Sequence, residues 1–354
     1  MVSMQRIRNV ARRFDQYRRR HSHLLEGLVY KLLAMIAPAT KTHFDPQQLD
    51  SILVIRSNKR LGNVLFLLPF LKALRQQYPM AKIELLVARS WQAELFCGCA
   101  LDAVHVSNFS FRHLLKWCRL LGRLRQTHYD MVVMPFRSSS DTLTAAFLHS
   151  HYKVAYHHPL HQSIFRHSVS SAQRLEHAAF SALKLLNLPD APFQWPFTQE
   201  ELELLRRHNL AKNRYRIGFF RGARGEKILP KSYWQQLVES PLLQRADIEW
   251  VEILAPEAID GLSINHTWLK CLSLRELAMH LAELDLFVSA DTGPLHLADA
   301  VGAPCIGLFS HTDPVIYGCL NVHSTNLVDT SEAPNLAAEQ IAQHIQRLSS
   351  SYAA

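Results

Sequence analysis

Phe287-Val-Ser-Ala-Asp-Thr-Gly-Pro-Leu-His-Leu-Ala-Asp-Ala-Val-Gly-Ala-Pro-Cys-Ile-Gly-Leu-Phe309 is the stretch that decides how this chain folds. It begins inside the apolar run from Leu284 to Ser289, the pattern of a buried strand. Asp291-Thr-Gly breaks the run; Thr292 or Gly293 is suited to cap a helix, Pro294 to its first position and Gly302 to its end. Cys305 to Phe309 is a second strand-like run. Strand, helix and strand in that order make a parallel βαβ unit, which sets Asp291-Thr-Gly at a strand's carboxyl end.

A helix that starts there directs its unpaired amides at the turn and favours a bound phosphate. Asp291 can accept a hydrogen bond from a substrate hydroxyl, and His296, one turn into the helix, can point at the same ligand. The same spacing is compatible with Asp291 as a cap and His296 as a satisfied buried histidine.

The pattern continues in both directions. Downstream of residue 197, Arg216 to Phe220 and Trp250 to Leu254 read as strands, and Lys231 to Glu239 as a helix. Leu274 to Ala282 reads as a helix opened by the capping box Ser273-Leu-Arg-Glu276. Upstream, Ser51-Ile-Leu-Val-Ile-Arg56 reads as a buried strand, followed by a polar loop with Gly62, a helix from Val64 to Tyr78 and a second apolar run from Lys82 to Ala88. Met131 to Met134 reads as an inner strand, and Glu176 to Leu188 as a helix closed by Pro189. Pro189-Asp-Ala-Pro-Phe-Gln-Trp-Pro196 has the composition of a stiff connector. The expectation is an α/β protein with two doubly wound halves, residues 46–197 and 198–354, and a ligand cleft between them. Trp117 and Trp234 are expected in core positions facing helices.

Residues 1–45 differ from the rest. The 354-residue chain carries 39 Lys and Arg against 30 Asp and Glu, a net +9. Nine of the basic residues, from Arg6 to Lys41, precede residue 42 and are opposed only by Asp15 and Glu26. The remainder is nearly neutral, so the chain is a basic arm on an ordinary fold, and a nucleic-acid partner is not indicated. Leu24, Leu25, Leu28, Val29, Leu32, Leu33 and Ile36 form an apolar stripe at helical spacing. Such a helix either lies on an anionic membrane surface or docks on the first domain. With 48% hydrophobic and 19% charged residues, the chain is not disordered, collagen-like or a disulfide scaffold. No apolar run is long enough to span a bilayer and the start lacks a secretory signal, so a cytoplasmic protein is expected, peripheral on the inner membrane. The histidines at 149, 151, 157, 158, 161 and 167 show no metal-ligand spacing.

Asp291-Thr-Gly-x-x-His296, Phe309-Ser-His-Thr-Asp-Pro314 and the N-terminal Gly62-Asn-Val-Leu-x-x-x-Pro69 together resemble glycosyltransferase family nine, the ADP-heptose:lipopolysaccharide heptosyltransferases. The resemblance runs from about Ile52 to the C-terminus. It implies a GT-B fold, two Rossmann-like domains facing across a cleft, with acceptor on the first and nucleotide-sugar donor on the second. It also implies inverting, metal-independent transfer of heptose from ADP-heptose to the lipopolysaccharide inner core, with no cofactor beyond the donor substrate. On this resemblance Asp291, Thr292, Gly293 and His296 hold the donor's diphosphate and sugar. Lys227, in Arg224-Gly-Glu-Lys-Ile-Leu-Pro-Lys-Ser-Tyr-Trp234, matches the lysine that neutralises the donor phosphates, a role a metal-free enzyme needs as charge develops on ADP. Glu257 occupies roughly the place of an acid that contacts the ribose. Lys227 as a solvated loop lysine and Glu257 as a surface glutamate are the plainer readings.

One position departs from the family. Where it has Gly-Asp, the aspartate serving as general base, this chain has Gly62-Asn63. An amide orients a hydroxyl but does not take its proton near neutral pH. Either another group substitutes, Asp141 and nearby histidines being the candidates, or the chain is a catalytically silent GT-B protein that binds a nucleotide sugar. A sugar-nucleotide epimerase of the same fold is a further alternative. Arg56, Lys59, Arg60 and Arg137 lie at expected strand ends of the first domain, where cations suit a phosphorylated lipopolysaccharide-core acceptor; solvated loop positions would explain them equally.

Overall fold

The computed structural model describes residues 27–35, 49–107, 114–170, 176–208, 214–258, 261–262, 267–328 and 334–352. Leu24, Leu25, Ile36 and the arginines of the arm lie outside them. The described residues pack into two compact units, one within Met1–Ser57, Tyr78–Ala88 and Asp102–Ser171, the other within Asn58–Gln77, Arg89–Leu101 and Ala172–Ala354.

The sheet of the first unit has six parallel strands, β1 (Ser51–Arg56), β2 (Lys82–Val87), β3 (Ala103–Val106), β4 (Tyr129–Met134), β5 (Ser150–Tyr156) and β6 (His167–Val169), in the order β3-β2-β1-β4-β5-β6. The second sheet repeats the plan with β7 (Tyr215–Phe220), β8 (Ile248–Ile253), β9 (Thr267–Leu269), β10 (Leu286–Ala290), β11 (Cys305–Phe309) and β12 (Thr325–Val328), in the order β12-β11-β10-β7-β8-β9. Strands β10 and β11 are buried at every residue, which is why they read as continuous apolar runs without alternation. Trp234, on α8 (Lys231–Val238), and Trp117, on α5 (Leu114–Leu124), fill the cores of the second and first units.

Three segments depart from the expected elements. The helix expected over Val64–Tyr78 is two helices, α2 (Leu61–Leu65) and α3 (Leu68–Gln77). Pro69 has no amide to bond the carbonyl of Leu65, so the chain tightens, with Leu67 N–H on the Val64 carbonyl at 3.1 Å, and restarts with Pro69 in a first turn that needs no donor. Glu176–Leu188 is not an α-helix; it holds one 3₁₀ turn, Leu183–Leu186, ended by Asn187 at φ 49°. Its turns close by i→i+3 bonds, Leu183 N–H on the Phe180 carbonyl and Leu185 N–H on the Ala182 carbonyl, while Ala178 N–H reaches the Ile316 carbonyl and Ala179 N–H His177 Nδ1. The proline-rich stretch 189–196 has no helix or strand and is docked, Trp195 N–H donating to the Ala300 carbonyl at 2.7 Å.

The chain is helical over residues 27–35 (α1). Tyr30 is buried in the first unit's core and its hydroxyl donates to the Ser139 carbonyl at 3.1 Å, with Leu33 and Ala34 packed beside it. The docked face is therefore Tyr30, Leu33 and Ala34. Leu28, Val29 and Leu32 of the expected apolar stripe are exposed. Among the described residues no helix is long and apolar enough to cross a membrane.

Tyr30 is the anchor of α1, and two variants separate its ring from its hydroxyl. Tyr30→Ala is expected to cost roughly 3 kcal/mol by the cavity it leaves, and Tyr30→Phe about 0.5–1.5 kcal/mol, as read by urea unfolding.

Candidate functional site

The site is built at the carboxyl ends of the second sheet. Strand β10 ends at Ala290 and α10 (Gly293–Ala300) begins three residues later. Asp291 lies in the turn, with its side chain nearly buried. Its Oδ1 accepts from His296 Nε2 at 2.9 Å, and its Oδ2 from Thr312 Oγ1 at 2.7 Å and from Lys227 Nζ. Burial alone would raise the pKa of this carboxyl, but hydrogen bonds from His296, Lys227 and Thr312, with the histidine's charge, hold it well below the usual carboxylate range. An ionised carboxylate only accepts, so His296 Nε2 carries the shared proton. His296 Nδ1 is buried and has no hydrogen-bond partner among the described residues.

Each partner arrives from a different strand end. Lys227 closes a 3₁₀ turn, Gly225–Lys227, after β7, with Gly225 at φ 65°. Thr312 follows β11 and precedes α11 (Pro314–Tyr317), which Asp313 caps by accepting from Val315 N–H at 2.8 Å. Thr292 starts α10 without capping it through its side chain; its hydroxyl bonds Ser289 Oγ at 2.9 Å. The expected side-chain cap at Thr292 is thus absent, and the first amides of α10 are not taken by that hydroxyl.

Helix α2 packs on α10 within the same unit. A Cβ on Gly62 would stand 2.5 Å from His296 Cδ2, and one on Gly293 2.8 Å from Leu61 Cβ. Only glycine at both positions permits this approach. Asn63 is half-buried on α2. Phe66, at the end of α2, lies between two histidines, its ring 4.7 Å from His296 and 5.4 Å from His177. His177 Nε2 donates to the Gly318 carbonyl at 2.9 Å, and burial pushes its imidazole down to about 4, so it is neutral at physiological pH.

The structure therefore joins Lys227, Asp291, Thr292, Gly293 and His296 in one cluster, with Gly62 and Asn63 on the helix beside it. Lys59 and Arg60 are exposed in the loop before α2. Glu257 is exposed after β8 and belongs to no part of the cluster. The other expected residues belong to the first unit. Arg137 is exposed, whereas Arg56 is buried at the end of β1, its guanidinium 4.1 Å above the Phe136 ring. Burial lowers its pKa to about 10 against the opposing effect of Asp141. Asp141, in the first turn of α6 (Ser139–Ala146), is fully buried and accepts from Ser57 N–H at 3.2 Å and from the Ser57 hydroxyl. Burial raises its pKa above the ordinary value despite the hydrogen bonds from Ser57 and the charge of Arg56.

Sequence reasoning missed Thr312 as a partner of Asp291. The signal was its place just past the strand adjoining β10. It also missed Glu252, a buried carboxylate inside the apolar run of β8 that accepts from Arg221 and from Leu262 N–H. Of the histidines between 149 and 167, His161 is buried, its Nδ1 3.3 Å from Thr142 Oγ1, and His149 bonds Arg125 at 3.1 Å.

Many solved structures share this architecture. Three of them are the E. coli heptosyltransferase WaaC with ADP (21% identity, 83% of this chain and 99% of that chain, TM-score 0.66), E. coli ADP-heptose lipopolysaccharide heptosyltransferase II (16%, 86% and 100%, 0.67) and a family 9 glycosyltransferase from Veillonella parvula (16%, 86% and 91%, 0.67). At these identities they show the fold, a GT-B-like pair of parallel six-stranded sheets. No curated protein sequence matches the chain. The model of glycosyltransferase family 9 (heptosyltransferase) matches residues 117–346, well over half of the chain and all of the Asp291 cluster except its contacts from α2, and the chain belongs to that family.

Proposed function

We propose that this glycosyltransferase moves heptose from ADP-heptose to the inner core of lipopolysaccharide, with inversion, at the cytoplasmic face of the inner membrane. The observation that carries the reading is the Asp291 cluster, where an ionised carboxylate, a lysine, a hydroxyl and the start of α10 converge at the carboxyl ends of β7, β10 and β11. In this reading the first amides of α10 and Lys227 take the diphosphate, with Thr292 and Gly293 at the helix start. Lys227 is held by Asp291 until the donor's phosphates compete for it. Asp291 is an acceptor for sugar hydroxyls and, with its depressed pKa, too weak a base to remove a proton. His296, held by Asp291, fixes the carboxylate's orientation. No metal or other cofactor enters the scheme; the lysine and helix amides offset the charge that develops on the departing ADP.

The acceptor is assigned to the first unit, with Arg137 as an exposed cation for its phosphates; Lys59 and Arg60, expected beside it, fall within the second unit. Arg56 is buried and is assigned instead to holding Phe136 and the Asp141 region. Asn63 orients the acceptor hydroxyl. The proton goes by way of Ser57, whose hydroxyl donates to Asp141; Ser57 Oγ receives the acceptor's proton as its own passes to the carboxylate. Burial makes Asp141 a stronger base than an ordinary carboxylate. A second reading follows from Asn63 alone, a silent protein that binds the nucleotide sugar without transfer.

Acceptor-dependent release of ADP from ADP-heptose, with truncated lipopolysaccharide cores, tests both readings. Asp291→Ala and Lys227→Ala are each expected to lower kcat/KM by about 100- to 1,000-fold. Binding of ADP-heptose without release in the unaltered protein would establish the silent one.

The base assignment has its own signature in the pH profile. The base works only when ionised, so kcat is expected to fall as pH drops through a value above the ordinary carboxylate range. Asp141→Asn and Ser57→Ala lower that rate, whereas Asn63→Asp brings no gain. A large gain from Asn63→Asp would show that no relay replaces the missing base. Gly62→Ala, which drives a methyl group into His296, is expected to weaken donor binding more than acceptor binding, as measured by separate titrations.

A further inference from the structure

We propose that α1 and the start of α5 form one docking surface for an anionic lipid bilayer, a proposal that deepens, and rests on, the reading of a lipid-borne acceptor. The two helices bury their inner faces in the same core: Tyr30 and Leu33 from α1, Trp117, Leu121 and Leu124 from α5. Their outer faces carry large apolar side chains in water, Leu28 at 56% exposure, Leu32 at 57%, Met35 at 79% and Leu115 at 73%. Lys31 lies between the exposed residues of α1, and Lys116, Arg119 and Arg123 continue along the exposed side of α5. Neither exposed face contains an acidic residue.

Topology puts both helices at one edge of the first sheet. Tyr30 bonds the carbonyl of Ser139, the residue that opens α6 just after β4 ends, so α1 sits at the carboxyl edge. The chain leaves β3 at that edge and α5 returns antiparallel to the start of β4, so Leu114 and Leu115 lie there too. Carboxyl edges of parallel sheets are where ligands bind. An acceptor anchored in a bilayer by its lipid would thus be offered at the edge that the apolar side chains approach.

Charge selects the occupant. A second copy of this chain docked face to face would set Lys31, Lys116, Arg119 and Arg123 against their own kind, whereas anionic headgroups neutralise them. Eight further basic residues precede position 42 in the sequence and favour anionic lipid, each cation near the surface strengthening binding about fivefold.

The test is sedimentation of the full chain with phosphatidylcholine vesicles, with and without phosphatidylglycerol. The protein is expected to bind the anionic vesicles, to release in high salt and to bind the neutral ones far less. The triple variant Leu28→Glu, Leu32→Glu, Met35→Glu is expected to bind at least about tenfold more weakly, and Leu115→Glu several-fold more weakly. Leu272→Glu, at a residue 98% exposed on the second unit, introduces the same kind of charge outside α1 and α5 and is expected to bind as the unaltered chain does. Equal loss from the triple variant and Leu272→Glu would overturn the proposal. Failure of the unaltered chain to bind, equal binding to both vesicles, or self-association through this face seen by sedimentation velocity would also overturn it. All substituted side chains are exposed, and an unchanged Tm and an unchanged kcat on a soluble truncated acceptor would show the variants folded. The vesicles contain neither donor nor acceptor, so a failed transferase assay leaves this result standing, and a failed vesicle assay leaves the transferase reading standing.

Discussion

The second unit is organised around one buried charge. Asp291 sits where water cannot solvate it fully, and a bare carboxylate in that position would be strongly disfavoured. Three donors from three segments offset the cost: His296 from α10, Thr312 after β11 and Lys227 after β7. The carboxylate fixes the loops at the ends of neighbouring strands in one relation, which any two-point ligand at that edge requires. Truncating it would leave Lys227 and His296 facing each other without the charge that reconciles them.

The approach of α2 to α10 is the second constraint, and it is steric where the first is electrostatic. Gly62 and Gly293 remove the Cβ atoms that would hold the helices apart, and the space is filled by the His296 ring and Leu61. Phe66 then packs on His296 from one side and His177 from the other. His177, neutral because it is buried, spends both nitrogens on backbone groups, a carbonyl at Gly318 and an amide at Ala179. The segment around His177 thereby packs against the end of α2 through Phe66. The Gly-Asn pair and the Asp-Thr-Gly turn, far apart in sequence, act as one packed piece.

This explains what was legible in the sequence and what was not. Inner strands such as β1, β10 and β11 are buried along nearly their whole length, so composition alone marked them, and Pro294 and Gly302 marked the ends of α10. The turn at Asp291 was readable because strand and helix punctuation both point to it. Its partners were less so: Thr312 is an ordinary threonine until β11 is placed beside β10. The helix expected at Glu176–Leu188 is replaced by tighter turns, Phe180 N–H on the His177 carbonyl, Leu183 N–H on that of Phe180 and Leu185 N–H on that of Ala182, which periodicity does not encode. Which face of α1 docks was not legible for a related reason. Tyr30 counts as a weaker apolar residue than Leu28 or Leu32, yet its ring and hydroxyl both find partners in the first unit, and the leucines do not. The side of an amphipathic helix that docks is decided by shape and hydrogen bonding at the receiving surface.

The burial of Asp141 is an argument about the missing base. A surface aspartate that only capped α6 would be solvated, and its pKa would lie in the ordinary range. This one is fully buried, and Ser57, the last residue of the first unit before the chain enters the loop toward Asn63, spends both its amide and its hydroxyl on it. An ionised carboxylate in that setting must be supported by donors, and Ser57 supplies them while Arg56 adds charge from behind. The arrangement presents a half-buried hydroxyl, polarised by a carboxylate, just past the end of β1. A chain that had abandoned transfer would need the turn at Ser57 but no such polarised hydroxyl, and an asparagine or a bound water would hold the same turn without burying a charge. A buried acid that holds a hydroxyl at this strand end is the feature on which the proposed proton relay rests.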